Sequence, residues 1–196
     1  MKTFVLLFVI GVSFLTSCEK DEAPYLSDQE KADLLFLREE EKLARDVYLY
    51  SYNIYNLSIF SNISNSEQSH MNGVLSLLNK YELVDPVTNN AVGIFSNSEL
   101  QSLYNQLTAI SDISLSKAIE VGANIEDLDI NDINTFANHT SKTDLLEVYD
   151  NLACGSRNHL RSFVAQLGTY TPIYTSQSEY DDIISSSQEQ CGNLGN

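Results

Sequence analysis

The sequence predicts an all-α protein in which four long helices form an antiparallel bundle, with a long crossover between the second and third helices and a short extra helix within it. Two observations predict this fold. Apolar residues recur mostly at spacings of three and four, and the 196 residues include only three prolines and eight glycines. More than thirty residues separate the second apolar stripe from the third, and a connection of that length can span a bundle about 30 Å long.

Length and charge narrow the class of protein. A chain of this length can bury one sizeable core, and we assign residues 27–168 to the helical domain and residues 169–196 to a C-terminal tail with a short helix. The formal net charge is −16, from 27 acidic and 11 basic residues. Such a chain repels phosphates, so nucleic acid is excluded as a partner, whereas metal cations are compatible with it. A solvated acidic surface accounts for most of the charge.

The first residues predict an exported, lipid-anchored protein. Residues 1–17 have the form of a signal peptide, with an apolar run too short for a typical membrane span. This run ends in Leu15-Thr16-Ser17-Cys18, which resembles the lipobox of bacterial lipoproteins, so Cys18 would become the lipidated N-terminus and residues 18–26 the tether. An acidic segment after Cys18 resembles an export tag. We therefore expect an outer-membrane lipoprotein, at the cell surface or the periplasmic face; an ordinary signal peptide is the alternative.

The first predicted helix covers about residues 28–55. Ser27 and Glu30 form a capping box before it, in which each side chain satisfies a free backbone donor of the other residue. One acid, Glu41, interrupts the apolar stripe of this helix and is the first candidate metal ligand. Glu40 lies beside it on a neighbouring line and stays in doubt.

The second predicted helix, about residues 60–81, carries the most informative pair in the chain. Glu67 and His70 lie three residues apart on an otherwise apolar face that should point into the core. An ionised carboxylate is almost never fully buried unless it is paired or bound to a metal. An inward-facing Glu-x-x-His is what carboxylate-bridged di-metal sites in four-helix bundles use.

The third and fourth predicted helices are interrupted in the same way. The third, about residues 115–137, has Glu126 on its apolar stripe and Asp129 one turn beyond, close to the same face. The fourth, about residues 143–167, has His159 on its stripe. One polar residue on one stripe is common in proteins, but interruptions near the middle of all four stripes indicate a shared site.

These residues together predict a metal centre. The candidate ligands are Glu41, Glu67, His70, Glu126 and His159, with Asp129 as an optional sixth. Carboxylate oxygens and neutral imidazoles suit iron or manganese, and zinc can compete on affinity. Without metal, three acids in one core would repel one another and take up protons. Tyr48 follows Glu41 along the first helix and is expected to act nearby as a hydrogen-bonding or redox-active phenol.

Several other features are expected to lie outside the centre. Short helices are expected at about residues 98–108 and 178–186, with disorder after residue 187. Cys154 and Cys191 could form a disulfide in an oxidising compartment, or Cys154 could be a small core residue. His139 is expected to be an exposed loop histidine. Arg157 and Arg161 are expected to be solvated, or else to form hydrogen bonds with the carboxylates of the centre.

Several motifs carry a resemblance to known proteins. Glu41-x-x-Ala44-x-x-x-Tyr48 and Glu67-x-x-His70 resemble the first half of the metal site of the ferritin and rubrerythrin superfamily, and Glu126-x-x-Asp129 is similar to the acidic pair on the third helix of rubrerythrins. Residues 38–48, 125–130 and 155–160 resemble, more narrowly, a bacterial and archaeal ferritin-like family classed as a domain of unknown function (DUF2202). This resemblance covers about residues 34–180 and implies a ferritin-like fold.

The fourth helix departs from the superfamily pattern, because Ser156 stands where a full Glu-x-x-His would have its Glu. Activation of O₂ at a di-iron centre needs both metals. The residues therefore support two hypotheses. One is a lipid-anchored, ferritin-like protein that binds di-iron or mononuclear iron and oxidises ferrous iron or reduces peroxide. The other is a metal-free helical surface lipoprotein that binds a protein partner through its many tyrosines. A membrane anchor disfavours storage of iron mineral in a closed shell.

Overall fold

A computed structural model of the chain describes residues 25–192, which contain six α-helices and no β-strand. The four long helices lie within two residues of their predicted bounds. The helices in chain order are α1 (Asp28–Tyr55), α2 (Ser58–Lys80), α3 (Ser98–Ser111), α4 (Leu115–Ala137), α5 (Thr143–Leu167) and α6 (Gln177–Ser185). The predicted signal peptide and Cys18 lie outside the described residues. Within residues 25–192, no helix is both long enough and apolar enough to cross a membrane.

The start of α1 is the predicted capping box. The backbone N–H of Glu30 donates to Oγ of Ser27 at 3.1 Å, and the backbone N–H of Ser27 donates to Oε2 of Glu30 at 2.7 Å. At its other end α1 stops at Asn56, whose left-handed conformation (φ 51°) turns the chain directly into α2. Local sequence signals therefore set both ends of the longest helix.

Hydrogen bonds show that α1 and α2 are antiparallel neighbours. Nη1 of Arg38 donates to the carbonyl of Met71 at 2.9 Å. Two turns further along α1, Nη1 of Arg45 donates at 2.6 Å to Oε1 of Gln68, which lies earlier on α2. The short turn between the helices produces this reversal, as predicted.

Contacts between α1 and α4 show that these helices are antiparallel as well. The ring centroids of Phe36 and Phe136 are 6.2 Å apart, and further along α1 the hydroxyl of Tyr48 meets Glu126, which lies earlier on α4. Since α1 is antiparallel to both α2 and α4, those two helices run parallel, as the long connection predicts. α5 packs on α2 and α4 and completes a ring of four long helices.

The connection between α2 and α4 covers a polar side of α1. Asp46 is fully buried and accepts hydrogen bonds from Nζ of Lys42 at 2.5 Å and from the backbone N–H of Gly93 at 2.9 Å. The Glu39 carboxylate accepts a hydrogen bond at 2.9 Å from the backbone N–H of Asn97, the residue that caps α3. These buried charges of α1 therefore have partners in the connection and hold it in place.

Asp127 anchors the C-terminal tail on α4. Its side chain is fully buried and accepts hydrogen bonds at 2.6–3.1 Å from three backbone N–H groups and two hydroxyls of the tail: the N–H groups of Ile173, Tyr174 and Thr175 and the hydroxyls of Tyr170 and Thr175. A carboxylate that receives five donors is stable in the interior without a metal. Asp127 is therefore a structural acid.

The end of the tail packs on α5 and corrects two expectations. Arg157 and Arg161 both bind the Glu189 carboxylate, at 2.6 and 2.8 Å, instead of lying in water or bonding the metal ligands. Cys154 and Cys191 form a disulfide, with Cα atoms 5.6 Å apart. The expectation of disorder after residue 187 is therefore wrong for residues 189–191, which contact α5.

We expect Cys191→Ser to lower the free energy of unfolding by about 2–4 kcal/mol, because the disulfide closes a loop across a separation of 37 residues and so restricts the unfolded chain. Guanidinium unfolding without reductant measures this change. Wild-type protein unfolded in the presence of a reductant is the matched control and should show the same loss. An unchanged unfolding midpoint in both samples would contradict the expectation.

Candidate metal centre

The structure brings together five of the six residues predicted as ligands, near the middle of the four long helices. All five are buried, and His159, the most exposed of them, is 8% exposed. They form two groups, and within each group the metal-binding atoms lie within 4.8 Å of one another. One group is Glu41, Glu67 and His70, and the other is Glu67, Glu126 and His159. The two groups share Glu67, so the five side chains form one centre with two halves.

Glu67 lies between the two histidines. Its Oε2 is 2.8 Å from Nδ1 of His70, and its Oε1 is 2.8 Å from Nδ1 of His159. The outer acids complete the halves, with Oε2 of Glu41 at 3.1 Å from Nδ1 of His70 and Oε2 of Glu126 at 3.3 Å from Nδ1 of His159. The imidazole rings are stacked with centroids 5.5 Å apart. One carboxylate thus pairs with two imidazole nitrogens and joins the two halves.

Helix geometry explains how the sequence builds this centre. Glu67 and His70 share one face of α2 because residues three apart are neighbours on a helix. Glu41 reaches them from α1, and Glu126 and His159 reach them from α4 and α5. The register of the antiparallel pairs brings these positions to the same level.

Two neighbouring side chains orient the candidate ligands from outside. The hydroxyl of Tyr48 donates to Oε1 of Glu126 at 2.6 Å, which leaves the other oxygen of Glu126 facing His159. Oγ of Ser66 lies 3.0 Å from Nε2 of His159 and so leaves Nδ1 facing the acids. Such outer partners fix the orientation of metal-binding side chains. Tyr48 was predicted from the sequence, but nothing in the spacing pointed to Ser66.

Gly155 is a further residue that the sequence did not single out. It lies on α5 against His70, and a Cβ atom at this position would lie 2.6 Å from Cε1 of His70 and closer still to Nε2. Glycine inside a helix costs about 1 kcal/mol relative to alanine. A glycine at mid-helix on an inward stripe was therefore the available signal that another side chain comes close.

Burial and mutual charge set the protonation of the centre. Burial raises the pKa of Glu41 to about 7, against the lowering effect of His70. Burial also acts to raise the pKa of Glu67, but the charges of His70 and His159 outweigh it and hold that pKa below its usual range. For His159, burial lowers the pKa, while Glu67 and then Glu126 raise it to about 10. Positive charge on the imidazoles therefore offsets the acids in the metal-free protein.

The acids of the centre face the two imidazoles and have few other donors. Both oxygens of Glu67, Oε1 of Glu41 and Oε2 of Glu126 receive no hydrogen bond from a backbone or hydroxyl group, and Glu67 has the nitrogens of His70 and His159 as its neighbours, whereas Asp127 receives five hydrogen bonds from backbone and hydroxyl groups. Three buried carboxylates beside two imidazoles are costly without further positive charge. The donor set of three carboxylates and two imidazoles fits a pair of divalent cations, with iron, manganese and zinc all compatible.

The remaining predicted residues lie beside the centre. Asp129 is buried on α4, but it joins neither group, so its role as a sixth ligand stays a prediction. Glu40 is also buried, next to Glu41 on α1. Ser156 donates its hydroxyl to a carbonyl of its own helix at 3.2 Å and adds nothing to the centre. His139, placed in a loop, is exposed and lies outside the centre, as expected.

Comparisons with known proteins identify the family. Residues 30–187 match the family model described as "Uncharacterized protein domain (DUF2202)". The chain is 51% identical over 169 residues to Uncharacterized protein MJ0754 of Methanocaldococcus jannaschii, covering 84% of this chain and 91% of that protein. The crystal structure of hypothetical protein MJ0754 from Methanococcus jannaschii superposes with a TM-score of 0.83, over 84% of this chain and 97% of that chain. The chain therefore belongs to the DUF2202 family.

Proposed function

We propose that this protein is a ferritin-like four-helix bundle that binds two divalent metal ions, with iron as the first choice. The observation that carries the proposal is the position of Glu67, each of whose oxygens lies 2.8 Å from Nδ1 of a different histidine. Ferritin-like di-metal proteins use a carboxylate from each of two helices and Glu-x-x-His pairs from the others. The contacts of four helices around Glu67 support this assignment.

The residues have distinct roles in the proposed centre. Glu67 would serve both ions, Glu41 and His70 would hold one of them, and Glu126 and His159 would hold the other. Bound iron would supply electrons for the reduction of dioxygen or peroxide. Because Ser156 stands where the second Glu-x-x-His pair would have its Glu, the proposed centre has five protein ligands instead of the six of a full site.

Tyr48 supports a redox role for the iron-loaded protein. Burial, followed by the charge of Glu126, raises the pKa of Tyr48 well above its usual range, so the side chain stays a phenol and donates to Glu126. The phenol lies one hydrogen bond from a proposed ligand and can exchange a proton with it. We therefore assign oxidation of ferrous iron, or reduction of peroxide, as the activity that Tyr48 assists.

The membrane location of this activity rests on the sequence. A lipoprotein signal in residues 1–17 and a lipid on Cys18 would tether the domain to an outer membrane. The proposed bundle would then act in an exported position, tethered by residues 18–26. Growth with labelled palmitate, followed by purification, tests the lipid on Cys18 directly.

The purified protein, loaded anaerobically with ferrous iron, is expected to hold two irons per chain. Its two halves share Glu67 and so should fill together. Metal analysis after gel filtration counts the ions, and admission of air should produce the visible absorption of carboxylate-bound ferric iron. Parallel loading with manganese and zinc ranks the metals. No bound metal, and a melting temperature unchanged by chelator, would favour the metal-free interaction module instead.

A further inference from the structure

Two buried acids beside the centre are not explained by it. Glu40 on α1 and Asp129 on α4 are each 1% exposed, and none of their four carboxylate oxygens accepts a hydrogen bond from an N–H or hydroxyl group. The side chain within hydrogen-bonding reach of Glu40 is another acid, Asp132. Other buried acids on the same helices have donors; for instance, Glu39 accepts from Asn97. Two buried acids without donors, next to a proposed cation centre, indicate a role toward cations.

The register of α1 and α4 places Asp132, Glu40 and Asp129 in a row, which we call the acidic file. Phe36 and Phe136 meet at one end of the contact, and Tyr48 meets Glu126 at the other. Because the helices are antiparallel, Glu40 lies between these two contacts and opposite the turn of α4 that carries Asp129 and Asp132. The acidic file therefore runs along the α1–α4 contact toward the centre.

The outer end of the file opens into a groove. Asp132 is partly exposed and lines a cavity of about 530 Å³ between α1 and α4. Asp33 and Glu39 lie in the same lining, and none of the lining residues is basic. A concave surface lined by acids raises the local concentration of cations.

We propose that divalent metal ions enter the centre from this groove, passing from Asp132 to Glu40 and Asp129 and then to Glu41 and Glu126. The inference rests on the proposed metal-binding function and adds the route by which the ions arrive. Within the described residues, no third metal-binding side chain lies close enough to form a compact group with Glu40 and Asp129. The acidic file therefore holds a cation only weakly. Weak binding suits a pathway, because its sites must both attract an ion and release it.

The opposing explanation is that these carboxyl groups are protonated and serve as neutral, structural side chains. Glutamine replaces a protonated glutamic acid with similar shape and no charge, so Glu40→Gln separates the two explanations. In the structural case the variant takes up metal as fast as wild type. In the transit case it loses the charge that draws the ion inward.

Uptake of cobalt(II) provides the test, because cobalt bound by carboxylates and imidazoles has visible absorption. We expect Glu40→Gln to slow uptake, followed by stopped-flow absorption, by about ten-fold or more, since a charge on the path is lost. The final stoichiometry should stay at the wild-type value. Asp132→Asn should leave the fold intact, because the side chain is partly exposed, and it should slow uptake several-fold. Glu120→Gln changes an acid of α4 that pairs with Lys117 and lies outside the groove, so it is the matched control and should change little.

The outcomes are distinct. Wild-type rates in both Glu40→Gln and Asp132→Asn overturn the route and leave the proposed function intact. Loss of a bound ion in folded Glu40→Gln makes Glu40 a ligand and also overturns its transit role. A wild-type protein that binds no cobalt overturns the proposed function and the route together.

Discussion

Replacing Glu67 by Gln is expected to abolish binding of both metal ions. Each oxygen of Glu67 lies 2.8 Å from a different histidine, so this one carboxylate belongs to both halves of the centre. An amide keeps the volume but has a single oxygen and no charge, and divalent cations bind it much less well in a dry interior. The helices should stay folded, because both histidines can release their protons once the anion is gone.

The outer acids are the matched controls for this prediction. Glu41→Gln and Glu126→Gln make the same chemical change at the same burial, but each lies in one half only. Each should therefore lose one ion and retain the other. Metal analysis after anaerobic loading distinguishes the variants, and circular dichroism checks the fold. One ion retained by Glu67→Gln would rule out a bridging role.

Gly155→Ala is expected to weaken metal binding by about 10–100-fold without unfolding the protein. The added Cβ would lie 2.6 Å from Cε1 of His70 and closer still to Nε2. The imidazole must therefore move away from Glu41 and Glu67. Alanine otherwise favours a helix by about 1 kcal/mol over glycine, which offsets part of the strain. Titration with cobalt(II) measures the affinity, and the half that contains His70 should fail first.

Gly122→Ala is the control for a collision with an apolar side chain instead of a candidate ligand. There a Cβ atom would lie 2.5 Å from Cε1 of Phe163, a core side chain that packs on Tyr48. This variant should lose about 1–3 kcal/mol of stability through overpacking, and its metal affinity should fall less than that of Gly155→Ala, because the collision reaches Glu126 only through Tyr48. If Gly155→Ala binds cobalt as tightly as Gly122→Ala, the position of His70 does not depend on clearance at Gly155.

Much of the fold was predictable because its signals are local. The capping box at Ser27 and the apolar periodicity of three to four set the bounds of the long helices without knowledge of their neighbours. The same periodicity identified Glu67 and His70, since their spacing alone places both on the buried face. The length of the connection after α2 showed that the chain can cross the bundle there, which allows α2 and α4 to run parallel.

Other residues were misjudged because their partners are distant in sequence. Arg157 and Arg161 looked solvated from the pattern of α5, yet Glu189 in the tail binds both. Pairing of Cys154 with Cys191 stayed open, since spacing cannot reveal whether the tail returns to α5. In each case a segment that folds back over a helix changed an outward face into a covered one.

The sequence by itself therefore determined the helices, their directions and the four apolar faces that each carry a polar residue. Only the tertiary structure decided which acids have donors and which have none. Glu40, Asp127 and Glu67 are all acids on long helices. Of these three, only Asp127 receives hydrogen bonds from backbone N–H groups, because the tail covers it. Periodicity reports which face a residue occupies, whereas satisfaction of a buried charge depends on donors brought from elsewhere in the chain.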